Sequence, residues 1–588
     1  MRSYSILLTV VLAVALLARL LVYAQLADGP ALHMHVWTQS DMHFFDDWAG
    51  RIVDGDLLSA GDVRPYHRRH RKLACAARES SGAPLGPCDD AAIVATWDAW
   101  VGHATLWQDP LYPYGLAALY ASVGRHPLVP YAANVLLGLG SVALAFVVAA
   151  MLGGPAAALL GGLLAALLGP LLFYETLALR EVAITFFGLA GVVSTIAALR
   201  SGAPRARAGL MALSGVLAGM SVLLKSSALI FAAATAVLIV WWCRAEASRA
   251  ARLLAVFLVA MVLSMSPLIV RNVVVGVPAF SIASTGPLNF LNGNAADRST
   301  GGGSSISLHA PAIMASTGGQ GAAVVRATLA THDGIGSWIA LLVTKLVSFW
   351  HWPESPNNAS YYYFKRQVGA LSGLFVGFAL IAPLAIVGLA PALRRTRLTT
   401  VLVAYIASGM AVCVVFYNLS RFRLPLAVAM TALAGCGLVS IGQAVGRRDV
   451  RGALGRLAVV VLAALLVLAP WQPYAGHVRI ADHGVANEIA THLARRSLAA
   501  GDMEQAATVI DRQLAIEPAE LRAIEPGPQP TRVSVEMSAI AGGFAPLHDL
   551  MADVETRRGD LHEAAEHSRR AAVLRRINAP YAASAAQE

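Results

Sequence analysis

The sequence predicts an all-α polytopic membrane protein: a bundle of about eleven transmembrane helices with large outside loops, followed by a small α-helical-hairpin domain. Three observations carry this. Of the 588 residues, 57% are hydrophobic and only 14% charged, against roughly 25% charged in soluble domains. Apolar runs near the length needed to cross a bilayer recur along the first 470 residues. Short arginine clusters fall in alternate loops between those runs, on one side of the membrane.

The opening apolar run is long enough to span, and YAQLADG lacks the small-residue pattern of a cleavage site, so it reads as an uncleaved first helix at about Ile6–Gln25. With Arg2 inside, TQSDMHFFDDWAG at 38–50 emerges outside, carrying Asp41, His43, Asp46 and Asp47. Phe44, Phe45, Trp48, Ile52 and Val53 follow at near-helical spacing, which suits a helix lying in the interface plane. The outside segment extends over 27–130, too long for a plain connector. It holds a basic stretch at Arg64–Lys72 and an aromatic one with Trp97, Trp100, Trp107, Tyr112 and Tyr114. Cys75 and Cys88 both lie in this loop, and in an oxidising compartment they suit a local disulfide. Cys243, Cys413 and Cys436 lie in or beside apolar runs and read as small buried hydrophobes.

Further spans are expected at about 130–152, 156–173, 176–199, 210–224, 226–242 and 253–270. Glu175 then sits at an outer end, Glu181 falls just inside the fourth span, and Lys225 lies at a helix junction. Ionisable groups at such depth mark candidate sites, although a long side chain can also snorkel to the interface. A second outside region, 273–370, begins with a Gly/Ser/Thr-rich stretch at 276–336 that holds Asn292 and Asn294. Such a composition does not build a core but can fold over a site. Next comes a short apolar segment from Ile339, expected to be partial or re-entrant with Lys345 turned inward, and then Glu354. The last spans are expected at 371–387, 400–416, 424–441 and 457–468. Four loops assigned inside carry Arg200/Arg205/Arg207, Arg244/Arg249/Arg252, Arg394/Arg395/Arg397 and Arg447/Arg448/Arg451/Arg456. That is a positive-inside pattern, so the net charge of +10 needs no nucleic acid to explain it. The exception is the basic cluster from Arg64, placed outside, which suits anionic headgroups, a phosphate-bearing substrate or plain solvation.

After residue 471 the character changes, giving domains at 1–471 and 472–588. Amphipathic helix pairs turning at Gly501-Asp502 and Gly559-Asp560 look like tetratricopeptide-type hairpins, separated by a less regular middle. The span count puts them outside, as a structural cap or a partner-binding surface.

Several motifs, taken in order, resemble membrane glycosyltransferases of the GT-C superfold, especially bacterial relatives of the protein O-mannosyltransferases and the aminoarabinose transferase. They are Asp41 with the WA…GD segment at Trp48, Ala49, Gly55 and Asp56, DPLYPYGLAALY at 109–120, YETLALRE at 174–181, SPLIVRN at 266–272, NFLNGN at 289–294, KLVSFWHWPESPNN at 345–358 and SRFRLP at 420–425. The resemblance implies transfer of one sugar, with inversion, from a polyprenyl-phosphate donor to a lipid, glycan or protein acceptor on the periplasmic face of a bacterial cytoplasmic membrane. It implies Asp41 as the essential acid; Met42 stands where the commoner pattern has a second carboxylate, leaving Asp46 or Asp47 for that role.

The residues fit such chemistry. An acceptor hydroxyl needs a carboxylate base. A phosphate leaving group needs cations, for which Arg271, Lys345, Arg421 and Arg423 are the candidates near outer helix ends. The arginines could instead anchor helix ends to headgroups. No cofactor is required; Asp41, His43, Asp46, Asp47 and His103 include metal-ligand types but show no strict ligand spacing. A lipid-linked sugar flippase would use the same cations but calls for internal repeats, which are not seen. A non-catalytic assembly protein would leave Asp41, Arg271 and Arg421 without roles.

Overall fold

The computed structural model describes residues 2–27, 29–81, 87–298, 306–394, 396–469, 477–524 and 534–587. Among them the regular structure is helical, with isolated bridges in place of a sheet. α1 (Arg2–Leu26) leads through a 3-10 segment, Pro30–Val36, into the outside helices α2 (Asp41–Val53), α3 (Arg68–Ser80), α4 (Asp90–Val101) and α5 (Leu111–Val123). The membrane body continues with α6 (Leu128–Gly153), α7 (Pro155–Ala166), α8 (Gly169–Glu175), α9 (Glu181–Arg200), α10 (Pro204–Leu224), α11 (Leu229–Trp242) and α12 (Ala247–Val274). α13 (Gly286–Asn294), α14 (Ala310–Thr317) and α15 (Gly321–Leu329) form the second outside region. α16 (Ile335–Trp350) and α17 (Tyr361–Gln367) lead to α18 (Phe378–Leu393), α19 (Thr396–Val415), α20 (Ser420–Gly446) and α21 (Val450–Leu468). The chain ends in α22 (His477–Ala499), α23 (Met503–Leu514), α24 (Ala519–Arg522), α25 (Val535–Arg558) and α26 (Leu561–Gln587).

Eight helices among the described residues are long and apolar enough to cross a membrane, rather than eleven. The three expected spans that fall short are interrupted by identifiable breaks. At 156–173 the chain leaves its helix at Leu167–Leu168, where the backbone pairs with Val376, and Pro170 restarts it as α8. Lys225 is extended and a 3-10 turn follows, leaving α11 with 14 residues. Gly377 delays the third, α18, to 378–393 after a 3-10 segment at 369–374.

α20 is the central helix, buried over most of its length among α6, α7, α9, α18, α19 and α21. Small residues make that possible. A Cβ on Gly388 of α18 would sit 1.8 Å from the Leu433 carbonyl of α20, so only glycine allows the two backbones to pass this closely.

Two expectations change here. The apolar face of α2 is turned into the protein rather than toward lipid: Met42, Phe44, Phe45, Trp48 and Ile52 are buried, and Phe45 meets Tyr112 of α5 edge-on. The polar stretch at 276–336 holds three helices, and α14 packs on α3; the glycine-rich run at 299–305 lies outside the described residues.

The boundary expected at 471–472 and the irregular middle at 525–533 are likewise outside them. α22–α26 share a core that includes Ile510, Phe544, Leu547 and Leu574. The turns at Gly501 and Gly559 take the left-handed conformation glycine permits, and Asp502 caps α23. These helices touch the body through Trp37 Nε1 to Glu488 (3.1 Å), Tyr363 Oη to Gln513 (2.9 Å) and Arg512 to the Gln25 carbonyl (3.4 Å).

Candidate active site

Ser40 caps α2 by accepting from the His43 amide, which fixes Asp41 as the first residue of the helix, with its carboxylate turned inward. The side chain is buried and accepts three hydrogen bonds, from Arg421 (2.7 Å), Asn358 (2.9 Å) and Gln108 (3.1 Å). Burial alone would raise its pKa; the opposing pull of Arg421, Arg69 and the Asn358 amide wins and holds it well below the ordinary carboxylate range. Asn358 sits at a positive φ of 64°, a conformation that asparagine tolerates better than most residues; its side chain accepts from the Asp41 amide and donates to the Asp41 carboxylate.

Asp41 opens onto a cavity of about 150 Å³ lined by residues of α3, α13, α19 and α20 and the connections around them. Arg69, Arg180, Lys225 and Arg421 line it with only Asp41 and Asp109 as carboxylates, a formal surplus of two positive charges. Asp109 is already engaged, accepting from Arg180 (2.6 Å) and the Ser226 amide (2.8 Å). Trp107, His70, Asn289 and Asn292 form the opposite, uncharged part of the lining. His70 is pressed against Trp97 and Trp107, and burial holds it well below the ordinary histidine value; His67 beside it is pushed down to about 4. Both are therefore neutral near pH 7.

A second cavity, of about 80 Å³, adjoins the first and shares Lys225, Ser227, Val412, Arg421 and Phe422 with it. Its remaining lining is mostly apolar, including Ile184, Phe231, Tyr405, Pro425 and Leu426. Lys225 Nζ stands over the Phe422 ring at the join. The short α11 matters here, since the extended break at Lys225 is what lets its side chain reach both cavities.

The other residues singled out from the sequence are placed as follows. Asp46, ~140° around α2 from Asp41, accepts from Tyr120 and Arg125 (both 2.5 Å) and faces a different cavity. Asp47 is half-exposed and pairs with Arg51. Neither stands beside Asp41 as a second acid. Arg271 donates to the carbonyls of Leu58, Ser59 and Ala104, binding the first outside loop to α12. Lys345 does turn inward, but to Asn294 and the Phe416 carbonyl. Arg423 is engaged by the carbonyls of Phe349, His351 and Pro353 and by Glu354. These three cations thus brace the scaffold outside the cavity, and Arg421 alone of the four phosphate candidates lines it.

Glu175 forms a buried pair with Arg19 (2.6 Å), away from the cavity. Glu181 lies behind Arg421 at 3.8 Å, and one of its oxygens has no hydrogen-bond partner. Asn292 lines the cavity while accepting from the Ser307 amide. Arg64 is held by Asp98 and the Gly102 carbonyl. Cys75 and Cys88 are joined by a disulfide that ties the middle of α3 to the residues just before α4.

The donor set does not suit a metal at Asp41, whose oxygens are taken by a guanidinium and two amides. His43 donates to the His35 carbonyl and His103 pairs with Asp98. Among the described residues, the one grouping close enough to share an ion is Glu555, Asp560 and Glu563, in the C-terminal helices.

Sequence reasoning missed Arg69, His70, Gln108 and Arg180 as lining residues and Asn358 as the group that orients Asp41. The signals existed: Arg69 and His70 belong to the basic cluster on the unexpected side, and Asn358 closes the WPESPNN motif.

No protein-family model matches the chain, and no curated protein is similar to it in sequence. Similar solved structures include ArnT from Cupriavidus metallidurans bound to undecaprenyl phosphate, at 15% identity over 91% of this chain and 75% of that one, with a TM-score of 0.35. The archaeal oligosaccharyltransferase AglB from Archaeoglobus fulgidus, in complex with an inhibitory peptide and a dolichol-phosphate, is 13% identical over 91% of this chain and 63% of that one, with a TM-score of 0.37. At such low TM-scores the likeness transfers neither residue roles nor substrates to this chain.

Proposed function

We propose that this chain is a membrane glycosyltransferase that moves one sugar from a polyprenyl-phosphate donor to an acceptor hydroxyl at the outer face of a bacterial cytoplasmic membrane. One observation carries the reading: a cation-rich cavity holding a buried carboxylate adjoins a mostly apolar cavity, and Lys225 and Arg421 line both. A molecule that is an anion at one end and a hydrocarbon chain at the other matches that pair. The arginine pattern of the loops supports the orientation, and the order of motifs from Asp41 to SRFRLP supports the reaction class.

In the proposed step, the donor phosphate lies against Lys225, Arg180 and Arg421 and its first isoprene units enter the apolar cavity. The acceptor hydroxyl passes its proton to Asp41 as its oxygen bonds to the anomeric carbon. The bond from that carbon to the phosphate oxygen breaks, and polyprenyl phosphate leaves as an anion. A single displacement inverts the anomeric centre. Fixed cations stabilise the charge that builds on the leaving oxygen, so no proton donor is needed there. As found, Asp41 is a weak base, pinned by Arg421. A phosphate competing for Arg421 loosens that pairing and raises the basicity of Asp41 only when donor is present. The C-terminal helices, 472–588, belong on the same face as an accessory unit.

Native mass spectrometry of the purified protein with polyprenyl phosphate tests the donor half. Lys225→Met is expected to weaken binding by about tenfold or more, the loss of one charge-assisted contact. Undiminished binding in that variant contradicts the placement of the phosphate.

A further inference from the structure

A third cavity, of about 540 Å³, lies on the other face of α2, between the first outside loop and the C-terminal helices. Its walls come from the 3-10 segment at 30–36, from Asp46, from the Arg125–Pro127 turn that precedes α6, and from α22 and α23. It therefore sits just beyond the end of α1 and just before the start of α6.

The polar lining divides into groups already paired and groups left over. Asp46 and Arg125 satisfy each other at 2.5 Å, with Tyr120 as a second donor to Asp46. Asp502 is used as the cap of α23, accepting from the Gln505 amide. What remains turned to the cavity, besides the neutral Ser497 and Gln505, is an arginine and three histidines. Among the described residues the exposed Arg496 guanidinium has no carboxylate partner. The rings of His33 and His35 lie 6.2 Å apart with no hydrogen-bond partner among the described residues, and His126 accepts from the Leu128 amide through Nδ1, leaving Nε2 for a ligand. The amino end of α23 adds partial positive charge. Once the internal pairs are set aside, the groups left over are one guanidinium, imidazoles that can donate, and the neutral Ser497 and Gln505 side chains. Arg125 and Arg496 formally balance Asp46 and Asp502, so an anion completes the set by bringing a proton to an imidazole.

We propose that this cavity is a second oxyanion site, taking a phosphate group between the outside loop and the C-terminal helices through Arg496, His33, His35 and His126. Occupied, it ties α22 and α23 to α2, the helix whose first residue is Asp41, and so gives the C-terminal helices a role in holding the reaction site. The proposal stands apart from the transfer reading, because none of these residues lines the cavity at Asp41.

The site is pH-dependent for a stated reason. His33 is held down at about 4 by burial and by the neighbouring charges of His35, Arg496 and His126, so it is neutral when the site is empty. The titratable and charged groups facing these histidines are Asp46 and His43 from α2, Arg125 from the turn, Arg496 from α22 and Asp502 from α23, besides the histidines themselves. A bound anion cancels the repulsion. Returning one imidazole to its ordinary value near 6.5 makes binding about tenfold tighter at pH 5.5 than at pH 7.5.

The test is hydrogen–deuterium exchange on the full chain in nanodiscs, read at segments 30–37 and 493–509 and corrected for the intrinsic effect of pH. Inorganic phosphate is titrated against phosphatidylcholine discs, and phosphatidylglycerol discs are examined in parallel. Slowed exchange with inorganic phosphate, about tenfold more sensitive at pH 5.5 and lost in Arg496→Gln and His33→Ala, supports the site with a soluble phosphate as ligand. Slowed exchange in phosphatidylglycerol discs alone, lost in the same variants, supports it with a lipid headgroup. Unchanged exchange in both arms, or protection that survives Arg496→Gln, overturns it. Arg421→Gln is expected to leave the protection intact, which separates a failure here from a failure of the transfer reading.

Discussion

Replacing Arg421 by glutamine removes the main counter-charge of Asp41 while keeping much of the side-chain volume. The pair is 2.7 Å long and its side chains are 11% and 7% exposed, so water screens it little. Removing one member of a buried pair costs about 3–5 kcal/mol, mostly from the charge left behind. The pH dependence is the sharper signature. In the wild type the folded-state pKa of Asp41 lies below its unfolded value of about 3.9. Its contribution is therefore fully present above pH ~4, is lost only as pH falls through the folded value, and is constant between pH 5 and 8. In Arg421→Gln burial, the largest influence on this carboxyl, acts against weakened opposition, and the folded pKa is expected to rise above the unfolded one. Such a group binds a proton on folding, so the variant loses stability as pH rises from the unfolded value of about 3.9 through the elevated folded one, by about 1.4 kcal/mol for each unit of elevation. Thermal midpoints of both proteins in the same detergent, at one scan rate, at pH 4, 5.5 and 7, read this out. A deficit that widens with pH is expected. A deficit of the same size at all three values would refute the description of Asp41 as a buried carboxylate held ionised by Arg421.

Two further outcomes follow from the same geometry. Ser408→Phe places a ring in the apolar cavity of about 80 Å³, and should raise KM for long-chain donors at least tenfold while leaving a short-chain donor nearly unaffected. Cys88→Ser opens the disulfide to Cys75, 13 residues away; loop closure of that length is worth about 3 kcal/mol. The variant should unfold at a lower temperature and lose transfer activity, since α3 carries Arg69 and His70 into the cavity.

Much of the membrane body was legible because length and hydropathy together report which helices can cross a bilayer, whether they face lipid or, like α20, other helices. The eight long helices, the inward turn of Lys345 and the hairpin turns at Gly501 and Gly559 follow from local pattern. The three short helices were not legible as such, because their breaks depend on partners far along the chain, as where Val376 pairs at Leu167–Leu168. Cations divided for a similar reason. Proximity to a helix end does not tell whether a guanidinium turns to a cavity, as Arg421 does, or to backbone carbonyls, as Arg271 and Arg423 do. Asp46 shows the limit of spacing: five residues from Asp41 on one helix, it points into another cavity.

The most direct measurement is turnover of polyprenyl-phosphate sugars by the reconstituted Asp41→Asn protein, with polyprenyl phosphate binding measured on the same sample. Asparagine keeps the size and, with its one acceptor oxygen, the contact to Arg421 and Asn358; it gives up the acceptor that Gln108 uses and is not a base. Transfer is expected to fall by at least about a hundredfold, the scale of general-base assistance, with binding retained. Transfer at the wild-type rate would contradict the assignment of Asp41 and with it the site described here.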